Sequence, residues 1–215
     1  NGPSGALAFT TGEASRGVGG AINIAVGLGH KGNGGTASLQ AGATLDDGVS
    51  GALHLFSGAG ARTSSAGIQI FSPNAGRAGV SGSIELSTGL SPDGDSGSVT
   101  ITTGEAKKGK SGDFNVVVGT GDAGHGANIN LKAGHITDDK PSTQQSGGRI
   151  SLISGTSQYT SSGEVTIKSS NAGDAGVSGK VLISTGDATL GNTGSVTFAT
   201  GMAALGAGGD VAFTV

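Results

Sequence analysis

Few residues in this chain could do chemistry. Of 215 residues, 15 are Asp or Glu, 4 are His and none is Cys. Thiolate metal sites and disulfides are thereby excluded. The histidines, His30, His54, His125 and His135, fall at unrelated places in the sequence pattern and form no ligand set. Glu85 and Asp113 are the nearest carboxylates that share one register of extended chain. In a stack of such segments they lie roughly 10 Å apart, and nothing else converges on them. The acids Asp46–Asp47 and Asp93–Asp95 sit in Gly-rich stretches where turn preference accounts for them. The stretch Gly206–Asp210 has the look of a calcium-binding turn, but its Asp does not recur. A nucleophile–base pair, a phosphate-cradling loop and an HExxH helix are all missing. The sequence therefore predicts no catalytic, cofactor or metal site.

The elements that carry these residues are copies of one unit. It reads Gly-x-Φ-x-Φ-x-β-Gly, where Φ is apolar and β is small or β-branched, followed by a polar tail. Copies start at Gly5, Gly20, Gly35, Gly51, Ala66, Gly82, Gly97, Gly112, Ala127, Gly148, Gly163, Gly179, Gly194 and Gly209. The spacing is 15 or 16 residues except for one step of 21 after Ala127. Two and four residues after each start the chain is apolar, as in Ile22/Ile24, Ile84/Leu86 and Val165/Ile167. Six after, the residues are Thr, Ser, Ala or Val. Alternation of this kind is the mark of an extended segment with one apolar face.

One such segment cannot cover its own face, and stacked copies can. The pattern accordingly predicts an all-β fold: a single parallel β-solenoid of about 14 right-handed coils with a thin core, spanning 1–215 as one domain. The stretch at 72–82, SPNAGRAGVSG, returns at 169–179 as SSNAGDAGVSG. The offset of 97 residues, six copies, indicates a duplicated block. The long step is read as an insertion loop over 134–148, with Pro141 in it.

With no chemistry to expect, function falls to surfaces. Five after the start, Phe56, Phe71, Val117 and Ile153 point away from the apolar face and mark a lateral contact. Arg149, Glu164 and Lys180, one after the start on successive copies, read as a solubilising charge ladder. Three after the start the column is polar but irregular, unlike the regular Thr array that ice would require. The first and last copies, with Leu7 and Phe9 at one end and Val211, Phe213 and Val215 at the other, carry no polar cap. Open ends of a solenoid predict end-to-end assembly with further copies, or a fragment of something longer. The net charge of −3 argues against nucleic acid, and no apolar run reaches the ~18 residues of a membrane span.

The run SGSVTITTG, SGDFNVVVG, SGKVLISTG resembles the Gly/Ser/Thr-rich tandem repeats of secreted or surface proteins of algae such as diatoms and other stramenopiles. The likeness covers all fourteen copies. It implies an extracellular or cell-surface filament role and carries over no catalytic residue. The expectation is a structural, non-enzymatic protein without cofactor, its partner a second copy of itself. The alternative is a binding module docking ice, polysaccharide or other matrix components on the outward wall.

Overall fold

The computed structural model describes residues 4–137 and 145–215. Among them there is no helix and no β-strand. The predicted all-β solenoid is therefore not the fold of this chain, and its coils, handedness and thin core go with it. The physical reason lies in where the backbone hydrogen bonds go. A solenoid needs a ladder of bonds from each copy to the next along the extended segments. The backbone bonds formed here instead close the loops that join neighbouring copies: Gly51 N–H to Gly42 O at 2.8 Å, Ala66 to Gly58 at 3.2 Å, Gly148 to Gly134 at 2.9 Å and Gly163 to Gly155 at 2.9 Å.

In each case the donor is the first residue of a copy and the acceptor is the glycine that ends the apolar arm before it. At these four places the repeat is an extended arm and a polar loop pinched at its neck. Side chains reinforce the necks, with Thr11 Oγ1 donating to Gly20 O at 3.4 Å and Ser72 Oγ to Gly82 O at 2.7 Å. The loops bend at similar places in successive copies. Gly32 and Gly124, both twelve residues into their copies, take φ of +77° and +75°, a conformation that costs an L side chain about 1–2 kcal/mol. Short polar residues hold individual loops: Asp46 N–H donates to Thr44 Oγ1 at 3.3 Å and Thr160 N–H to Ser157 Oγ at 3.1 Å.

The neck explains the small column. A side chain placed on the first glycine of a copy would press on the residue six into the previous copy. A Cβ at Gly20 would lie 3.3 Å from Thr11, one at Gly97 3.4 Å from Thr88, one at Gly148 3.2 Å from Ala133 and one at Gly35 only 2.7 Å from Val26 Cγ1. Ala41, Ser72, Ala133, Ser154 and Ser169, all from this column, are among the few residues that are half-buried rather than exposed. The sequence reads the same column as one wall of a core. The structure makes it small because two backbone segments cross there.

No described residue is buried. The chain exposes 22222 Å². A folded protein of its mass exposes about 8,800 Å² and a fully extended one about 29,000 Å². Most of the surface that a folded chain would bury is therefore still open.

The chain divides into two units, Asn1–Thr102 and Thr103–Val215, each built from the same arm-and-loop repeat. The step of 21 residues keeps the ordinary neck, the Gly134–Gly148 bond, at the base of the expected insertion. Pro141 and its neighbours over 138–144 lie outside the described residues.

Neck amides and arm amides should therefore behave differently. In the dilute chain, circular dichroism should lack a β-sheet band. The amides of Gly51, Gly148 and Gly163 should exchange more slowly than those of the arms beside them. Uniform protection along the arms would show a ladder that this structure does not contain.

Candidate functional site: the apolar columns and the outward face

The alternation of the arms survives as a gradient of cover. Two after the start, side chains from Ile22 to Val211 are about half exposed, 46–62% for all but Leu7 and the small Ala37. Four after the start they are mostly about two-thirds exposed. The loop residues Leu45, Leu90, Leu190 and Leu205 stand fully in solvent at 93–107%. Val118, six into its copy and therefore at a neck, is the best covered large apolar residue at 38%. Each arm is thus amphipathic, and its apolar side is only partly shielded by its neighbours.

Contacts two residues apart confirm which positions share the other side. His54 stacks on Phe56 with ring centroids 5.6 Å apart and planes 14° from parallel. Thr166 Oγ1 donates to the Glu164 carboxylate. Positions one, three and five therefore face together, away from columns two and four. Phe56, Phe71, Val117 and Ile153, all five into their copies, are exposed, as is nearly every described residue. Of the four, Phe56 has a ring partner, His54.

The residues of the first and last copies divide into two groups. Phe9 and Val211 are covered as well as their columns elsewhere, and Leu7, Phe213 and Val215 are more open. Phe213 meets Phe198, four into the preceding copy, edge to face at 6.3 Å. An aromatic pair in this geometry contributes about 0.5–1.5 kcal/mol beyond its buried area.

The charged groups build no reactive arrangement. Among the described residues no three His, Asp or Glu side chains gather as metal ligands. Asp113 pairs with Lys110 at 2.8 Å through Oδ1, both side chains mostly in solvent. That pair was readable in the sequence as KSGD, a Lys three residues before an Asp, but both residues sat in different parts of the repeat and were not brought together. Glu85 has no ion-pair partner among the described residues, and neither do Arg149 and Lys180, so the charge ladder is not formed.

One concavity breaks the apolar side. It measures about 310 Å³ and is lined by Ile24, Ala37, Ser38 and Leu39. Its cause is Ala37, the smallest residue in the column two after the start, which leaves a dent between its larger neighbours. The dent is shallow and has no convergent polar groups, unlike a small-molecule pocket.

No family model, curated protein or solved structure matches the chain. No helix among the described residues is long and apolar enough to cross a membrane.

If His54 and Phe56 are stacked in solution, Phe56→Ala should shift the His54 ring-proton resonances downfield by removing the ring current, and leave those of His30 and His125 in place. Unchanged His54 resonances would show that the pair does not form.

Proposed function

We propose that this chain is a structural protein that works by self-association, its apolar columns covered by further copies of itself. The observation that carries the reading is the recurrence, in copy after copy, of two apolar side chains on one side of an arm that stay half or more exposed. At about 60 Å² of open apolar area per side chain, the columns of one unit offer about 800 Å², what one partner contributes to a standard stable interface. The contact is spread along the repeats rather than placed at any one copy. Among the described residues, no group of three His, Asp or Glu side chains competes with it. The likeness to algal surface repeats supports an extracellular or cell-surface setting, in which such a chain would form matrix or filament material. The reading of the outward side as an ice or polysaccharide platform rests on less, since its aromatic residues are few and the His54–Phe56 stack is its one ring pair among the described residues.

Sedimentation of the chain over a hundredfold range of concentration tests the proposal. The wild type should shift to larger species as concentration rises. Ile68→Ser, Ile84→Ser and Val99→Ser, in consecutive copies, should each weaken association about fivefold, as expected for roughly 1 kcal/mol per half-covered side chain. Leu45→Ser, in a loop, should change it less than twofold. A wild-type chain that stays monomeric throughout would refute self-association.

A further inference from the structure

The duplicated block contains two turns of the same build and opposite charge. Residues 72–82 and 169–179 differ at two of eleven positions: Pro73 against Ser170, and Arg77 against Asp174. Both segments form the same turn. Gly79 N–H donates to Gly76 O at 3.1 Å, and Gly176 N–H donates to Gly173 O at 3.2 Å. A Cβ on Gly79 would meet Ala75 at 3.6 Å and one on Gly176 would meet Ala172 at 3.7 Å. Val80 and Val177 follow the turns in full solvent, 97% and 95% exposed. Arg77 and Asp174 occupy the same corner, both exposed, and neither has a hydrogen-bond or ion-pair partner among the described residues. The first turn lies in the unit Asn1–Thr102 and the second in Thr103–Val215.

We propose that these turns are complementary contacts between copies of the chain, the Arg77 turn of one copy seating against the Asp174 turn of another. The inference rests on the self-association proposed above and names its register. Pairing like turns sets Arg77 against Arg77 or Asp174 against Asp174, which is repulsive. Pairing unlike turns sets a guanidinium against a carboxylate, so charge selects the first unit of one copy for the second unit of the next. The contact joins two different patches, the first unit of one copy and the second unit of the other, and a single such pairing leaves one turn of each sign free for a further contact. The same offset of 97 residues sets Arg62 against Tyr159 and Lys168 against Phe71, all four exposed. Each of these pairs brings a cation to an aromatic ring, a favourable contact.

Three variants test it at low ionic strength, where exposed charges act most strongly: Arg77→Asp, Asp174→Arg and the two combined. The Arg77→Asp chain carries acid at both turns and the Asp174→Arg chain carries base at both. Each alone should associate about tenfold more weakly than wild type, attraction having become repulsion. Mixed in equal amounts they should recover to within about twofold of wild type, and so should the double variant alone. Single variants that associate like wild type would overturn the proposed register and leave self-association standing. Recovery in the double variant without recovery in the mixture would place the pair within one chain and overturn it as well. A wild type that does not associate would remove both proposals.

Discussion

The arrangement of the chain depends on the pinch at the necks of its loops, closed by a backbone bond at four of them. There the amide that opens one copy reaches the carbonyl that closes the arm before it, as between Gly51 and Gly42. Two backbone segments come close enough that an added Cβ would touch the facing side chain at about the limit of ordinary contact. The requirement runs in both directions: glycine on one side, and a small or β-branched residue on the other. Ala66 and Ala127 show that one methyl group is accommodated at this position. The abundance of glycine follows from this closure and from turns such as those at Gly32 and Gly124.

The neck bonds tie only the two ends of a loop, and among the described residues the amides and carbonyls within the arms make no backbone bond from one arm to the next. The arms keep an extended, alternating conformation, but their apolar sides have only partial cover. Fixing the backbone of one residue costs about 1–2 kcal/mol, and burial of apolar surface is the main term that offsets it. A chain that leaves Ile24, Leu39 and Phe9 mostly exposed has little of that term. In the proposed self-association the missing burial comes from further copies, whose columns repeat with the same spacing. The proposed register rests on charge, because the duplicated turns have diverged at Arg77 and Asp174 while keeping the same backbone bond.

Much of this was legible in the residues. The repeat and its phase, the columns two and four after each start, the outward set around Phe56, and the duplication at 97 residues are all local or periodic features, which sequence reading handles well. The lateral ladder was a different kind of expectation. Alternation shows that a segment has an apolar face, but it does not show what lies against that face. The small column of Thr11, Ala41 and Thr88 reads from the sequence as inward-facing core, and a close backbone crossing calls for the same residue sizes. The Lys110–Asp113 pair joins a loop to the arm after it, so periodicity between copies carries no signal for it.

The central claim is that a single chain holds no core and gains cover by association. Differential scanning calorimetry on the dilute monomer addresses it most directly. A folded domain of this length absorbs about 150 kcal/mol on unfolding near 60 °C, at roughly 0.7 kcal/mol per residue. The monomer should show no cooperative heat absorption, with a transition emerging and rising in temperature as concentration drives assembly. A cooperative transition of that full size in the monomer, independent of concentration, would mean that the chain buries a core alone, and would contradict the account.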